Sequence, residues 1–148
     1  EKKYGVAMMT NGSLITKEGA RRASSLGISD IQVSLEGPQD LHDSIRGIGS
    51  FSATAKGVEN LVSANNRVSA NVTLFRLNAD RIEETVEIAK GMGFYGIGFS
   101  RVVPCGRGKT LLDSLLTPQE LKVVYQKVNS LNSPAFEVVS GDPLAGTL

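Results

Sequence analysis

Cysteine and histidine are almost missing: the 148 residues contain one cysteine, Cys105, and one histidine, His42. A lone cysteine excludes an internal disulfide and any metal site built within the chain from several thiolates. A lone histidine removes the support that His42-Asp43, a dipeptide of metal-dependent phosphohydrolases, would need from further histidines on other segments. It is also the sole candidate base for a Ser-His-Asp triad, and no Gly-x-Ser-x-Gly elbow accompanies it. Long apolar runs are absent, so no membrane span is expected. Charge of one sign is not in excess, with a formal net charge of +1, which argues against nucleic acid or an anionic membrane as the main partner. Glu1-Lys2-Lys3-Tyr4 offers neither an initiator methionine nor an apolar signal segment, so secretion is not expected and a reducing cytoplasm is the default setting.

What is present is an alternation of strands and helices. At this length one domain, 1–148, is expected, able to bury roughly 70% of its unfolded surface. Val6 to Met9 is apolar and ends in a turn at Thr10-Asn11-Gly12. Thr16 caps a helix through Ala20, Ala23 and Leu26 that stops at Gly27. Asp30 to Glu36 alternates, Ile31, Val33 and Leu35 against Gln32, Ser34 and Glu36. A long loop, Gly37 to Gly49, follows, and Ser50 reads as the N-cap of a helix with Val58 and Leu61 on its buried side. Val68 to Phe75 alternates again, with Ser69, Asn71 and Thr73 on one face. Asn78 or Asp80 starts the next helix, Gly96 to Val103 is a fourth strand, Thr117-Pro118-Gln119-Glu120 is a capping box, and Phe136 to Val139 is a last strand.

This order, β-α-β-α-β-α-β-α-β, requires an α/β fold with a parallel sheet and alternating helices. The long connections, Gly37 to Gly49 and Pro104 to Leu116, follow strands, at the end where parallel α/β folds build their sites. Buried parallel strands normally read as unbroken apolar runs. The polar alternation here indicates a polar lumen, the other reading being edge strands with one solvated face. Gly108-Lys109-Thr110 resembles the end of a phosphate loop, but the glycine required five residues before Gly108 is Val103. Arg107 and Lys109 read equally as anion contacts or as a solvated basic loop. Arg46 can form a bidentate fork with a ligand carboxylate or a salt bridge to Asp40 or Asp43.

Thr10-Asn11-Gly12 after a strand, Val33-Ser34-Leu35-Glu36-Gly37-Pro38, His42-Asp43-Ser44-Ile45-Arg46-Gly47, Gly49-Ser50-Phe51 and the Pro104-Cys105-Gly106-Arg107-Gly108 turn together resemble the middle of a radical S-adenosylmethionine (SAM) enzyme. The likeness is to SPASM-like or molybdenum-cofactor-biosynthesis-like members, the group that matures peptides and haem- or quinone-type cofactors. It implies part of a (β/α)6 partial TIM barrel. It places Thr10, Asn11 and Gly12 near the SAM methionyl group, Ser34 and Glu36 on the next strand of the site with Ser34 reaching the ribose, and Arg46 on the carboxylate. Asn71 and Thr73 then face the nucleoside, and Ser100 and Arg101 lie by the adenine. The cofactors implied are SAM and a [4Fe–4S] cluster; the partner implied is a small-molecule or peptide substrate.

The family's Cys-x3-Cys-x2-Cys segment has no counterpart, and cluster ligation needs thiolates. The expectation is a piece of a longer protein. The parent reductively cleaves SAM to a 5′-deoxyadenosyl radical that abstracts hydrogen, while this chain alone is inactive, binds SAM weakly and pairs through exposed sheet edges. Two readings compete: an aldolase- or epimerase-like closed barrel using Glu36 or a lysine, although no obvious lysine stands at a strand end, and a non-enzymatic βα ligand-binding or scaffold module. Three upstream cysteines at cluster spacing separate the radical enzyme from the module.

Overall fold

A computed structural model describes residues 4–103 and 113–142. The turn around Cys105, Arg107 and Lys109 lies outside them. In chain order the elements are β1 (Ala7–Thr10), α1 (Lys17–Ser25), β2 (Asp30–Ser34), α2 (Gln39–Arg46), α3 (Ser50–Ser63), β3 (Val68–Leu74), α4 (Ile82–Gly91), β4 (Gly96–Arg101), α5 (Pro118–Ser130) and β5 (Glu137–Ser140). The strands form one sheet in the order β1-β2-β3-β4-β5, every pair parallel. Among the described residues, no helix is long and apolar enough to cross a membrane.

Two of the helix starts read from side-chain oxygens are present, at Thr16 and Thr117, whereas Ser50 is the first residue of α3 behind an uncapped Gly49 rather than its cap. Thr16 accepts from the Gly19 amide at 3.1 Å. Thr117 accepts from Glu120 N at 3.3 Å while Glu120 accepts from Thr117 N at 2.6 Å, a reciprocal box that satisfies two amides at the start of α5.

Two expectations are overturned. The stretch from Gly37 to Gly49 is not all loop, because α2 occupies Gln39–Arg46. Its start carries no side-chain cap, and Pro38 precedes it. Local signals are therefore weak, and an isolated helix of this length would not hold. What holds it is burial of Leu41 and His42. Likewise α4 begins at Ile82 after an uncapped Arg81. Asn78 caps nothing; it is used elsewhere, as described below.

The core lies between the sheet and its helices. Ile31, Val33, Ala70, Val72, Ile97, Phe99 and Val138 are buried against Ala20, Val58, Leu61, Val86, Leu121, Tyr125 and Val128. α3 makes a close approach at Gly57, where an added Cβ would stand 1.9 Å from the Gly12 carbonyl oxygen. One turn to either side, Thr54 donates to Asn11 O at 2.9 Å and the Asn60 amide to Ile15 O at 2.8 Å.

Candidate functional site

Residues in register across parallel strands project to the same side of the sheet. Val33, Ala70, Ile97 and Val138 are in register, and all are buried in the helix-covered core. The alternate positions form rows on the other face. Gln32 aligns with Ser69, Ser34 with Asn71 and Gly98, and Thr73 with Ser100. Ser34, Asn71, Thr73 and Ser100 are half-buried. Their side chains make no hydrogen bond to another described residue. Three neighbouring strands thus present polar side chains that no other described residue engages. Gly98 keeps the middle of the face low, and a Cβ there would meet only ordinary contacts, the nearest being Asn71 Oδ1 at 3.8 Å.

Above this face sits Glu36, buried to 3% exposure. Every polar group of the residue is engaged. Oε1 accepts from Arg46 Nε at 2.9 Å and Nη2 at 2.5 Å. Oε2 accepts from the Thr73 amide at 3.3 Å. The Glu36 carbonyl accepts from the Asn78 side-chain amide at 3.2 Å, and the Glu36 amide donates to His42 Nδ1 at 3.2 Å. Asn78 also donates to Thr73 O at 2.9 Å and accepts from Phe75 N at 3.0 Å, so it ties the ends of β2 and β3 together.

Neither expected partner holds Arg46. Asp40 pairs with Arg81 at 3.4 Å, and Asp43 is spent on α3, accepting from Phe51 N at 2.7 Å, Gly49 N at 3.0 Å and Ser50 Oγ at 3.1 Å. Those amides hold the Asp43 carboxyl below its usual range. Burial first, then the Arg46 guanidinium, pushes His42 from 6.5 down to about 4, against a pull upward from Asp43.

Two expected site residues are not brought to this face. Thr10 aligns with Val33 in the helix-side row, and its hydroxyl accepts from Gly12 N at 3.1 Å. Arg101 aligns with buried Leu74, and its Nε pairs with Asp142 at 2.8 Å. A period of two assigns both by parity, which is the signal that separates them from Ser34 and Ser100. Asn11 is exposed and accepts from the Ser13 amide and hydroxyl. Gly12 is buried at φ +77°, a conformation that favours glycine, beside Val33 and Thr54. His42 and Asn78, read from the sequence as a loop residue and a helix start, prove to be the residues that grip Glu36. Among the described residues no group of three or more histidine, cysteine or acidic side chains is placed to hold a metal ion.

A family model described as the radical SAM superfamily matches residues 1–89. The chain is 34% identical over 141 residues to the mycofactocin maturase MftC of Mycolicibacterium smegmatis, covering 93% of this chain and 35% of that protein. It is 34% identical over 105 residues to an AdoMet-dependent heme synthase of Methanosarcina barkeri, covering 70% of this chain and 30% of that protein. It thus spans about a third of the length of these curated relatives. Among solved structures, anSMEcpe with bound AdoMet and the Cp18Cys peptide superposes with a TM-score of 0.74 at 18% identity, covering 86% of this chain and 37% of that one. SuiB of Streptococcus suis bound to its precursor peptide SuiA gives 0.73 at 14% identity, covering 93% and 32%. At these identities the likeness is one of fold, a partial TIM barrel.

Proposed function

Because the chain belongs to the radical SAM superfamily, we propose that the polar face is the adenosyl-binding wall of a radical SAM oxidoreductase whose cluster ligands lie outside this sequence. The observation that carries the reading is the set of half-buried side chains on three adjacent strands, Ser34, Asn71, Thr73 and Ser100, that hydrogen-bond to no other described residue. In a packed core such groups would be costly to leave without partners. On an open face they are available to the hydroxyls and ring nitrogens of a nucleoside.

Radical SAM enzymes use SAM together with a [4Fe–4S] cluster. The donor set fits SAM: Ser34 would take the ribose, Asn71 and Thr73 the nucleoside, Ser100 the adenine side, and Arg46 an anionic carboxylate. Glu36 fixes the Arg46 guanidinium through Nε and Nη2, which leaves Nη1 directed by a buried anchor rather than by a free chain. The cluster does not fit, since one cysteine cannot supply its thiolates. When bound in the complete site, the cofactor supplies the hydrogen-abstracting radical chemistry. The residues of this chain bind, orient and shield. The substrate of the whole protein is proposed to be a peptide or small molecule placed beyond the strand C-termini.

Without a cluster to anchor its amino acid end, SAM must offset an ordering cost of several kcal/mol through nucleoside contacts alone. Titrating SAM into the labelled chain is expected to shift the backbone signals of Ser34, Asn71, Thr73, Gly98 and Ser100, with saturation only well above micromolar concentration. Shifts scattered elsewhere would remove the assignment of this face; sub-micromolar binding would show that no cluster anchor is needed.

The outer side of β1 has no strand beside it among the described residues, and Met9 is 76% exposed. An unpaired edge of this kind recruits other strands. Concentration-dependent self-association is therefore expected, and light scattering that finds a monodisperse monomer at high concentration would count against it.

A further inference from the structure

We propose that His42 is a positioning residue of this site: by accepting the Glu36 amide it fixes the strand-end turn from which the Glu36 carboxylate holds Arg46. The identity of the ligand that Arg46 meets rests on the function proposed above, but the positioning itself does not.

The argument begins with α2. His42 and Arg46 stand four residues apart and so share one helical face. Both act on the same residue. His42 Nδ1 takes the Glu36 backbone amide at 3.2 Å, and Arg46 takes the Glu36 carboxylate at 2.9 and 2.5 Å. The short helix therefore clamps Glu36 at two points, and the Thr73 amide and Asn78 side chain close it from β3 and the turn beyond.

The imidazole is not there merely to fill space. His42 is fully buried, and its ring meets Phe51 edge-on with centroids 5.8 Å apart. An acceptor at Nδ1 assigns the proton of the neutral ring to Nε2. That Nε2 is buried and has no hydrogen-bond partner among the described residues. A phenylalanine would fill the same space against Phe51 and leave no ring nitrogen unsatisfied, but it would take away the acceptor of the Glu36 amide. The histidine is explained by its one productive bond, the one to Glu36. The charged and titratable groups around it are Arg46 and Asp43 on its own helix and Glu36 from the end of β2; from α3 it meets Phe51.

The test compares the 148-residue chain with His42→Phe and His42→Asn by nitrogen NMR. Asparagine places an oxygen where Nδ1 stood. In the native chain the ring should be neutral with its proton on Nε2. In His42→Phe the circular dichroism and the β3 and β4 amide signals should persist, while the Arg46 Nε–H exchanges about tenfold faster, the loss of roughly one net hydrogen bond. His42→Asn should restore the slow exchange, a recovery that filling the same volume does not predict. A proton on Nδ1 in the native chain, or native Arg46 protection in His42→Phe, overturns the proposal. Should His42→Phe fail to fold, fast exchange in a folded His42→Asn overturns it equally. SAM added to the native chain reports separately: an Arg46 signal that does not respond removes Arg46 from the ligand, and the exchange data still decide the role of His42.

Discussion

Gly57→Ala is expected to destabilise the chain by about 3 kcal/mol or more, the cost of overpacking against something that cannot yield. The obstacle is backbone. The new Cβ would lie 1.9 Å from Gly12 O and 2.9 Å from Gly12 C, and no rotamer change relieves a clash with a carbonyl. Relief requires α3 to lift from the turn, which breaks the bonds from Thr54 to Asn11 O and from Asn60 to Ile15 O. Gly12 cannot retreat easily, because it is buried between Val33 and Thr54 at positive φ. Thermal unfolding should move down by roughly 10 °C for a domain of this size. Gly91→Ala is the control. Gly91 is also a helical glycine, at the end of α4 rather than mid-helix, and a Cβ there meets nothing within 4 Å, so the helix-propensity gain of about 0.5 kcal/mol should appear alone. Equal midpoints for Gly57→Ala and the native chain would mean that α3 does not sit this close to the turn.

The second large effect is set by pH. His42 is neutral in the folded chain down to about 4, against 6.5 when free of the fold. Between those values the unfolded chain binds a proton that the folded chain does not. Stability is then complete above about 6.5 and falls as pH drops toward about 4, at about 1.4 kcal/mol per pH unit and on the order of 3 kcal/mol in all. Below that window the histidine adds nothing more. Asp43 then takes over, its lowered pKa making its contribution one that is lost on further acidification. Urea denaturation across the window should show the decline in the native chain and a nearly flat profile in His42→Phe. Parallel declines in the two proteins would place the acid sensitivity elsewhere.

What was legible in the sequence follows a physical divide. Strand parity was legible because alternation is a local property: Ile31, Val33 and Leu35 are buried, and Gln32 and Ser34 are half-buried, as the period of two required. The capping threonines were legible because a cap is a contact within one turn. α2 was not, since it is uncapped and is held by burying Leu41 and His42. The Glu36–Arg46 pair spans ten residues and depends on that helix, so spacing alone pointed Arg46 to the nearer Asp40 and Asp43. Gly57 had a faint signal: a glycine flanked at three-residue intervals by Thr54 and Asn60, on a helix face that otherwise runs apolar. Thr10 and Arg101 lie off the polar face because the resemblance names segments, whereas parity decides single residues.

The polar rows have a consequence for how such a scaffold diversifies. The side chains of Ser34, Asn71, Thr73 and Ser100 hydrogen-bond to no other described residue, while Val33, Ala70, Val72 and Phe99, each one step away, hold the sheet to its helices. Substitutions at the first set can retune what the face recognises while the second set keeps folding unchanged, so recognition and foldability drift along the same strands almost independently. Glu36 is the exception. Its four points of attachment join the two sets, and a lineage that changes its ligand should find Glu36 the hardest letter to rewrite.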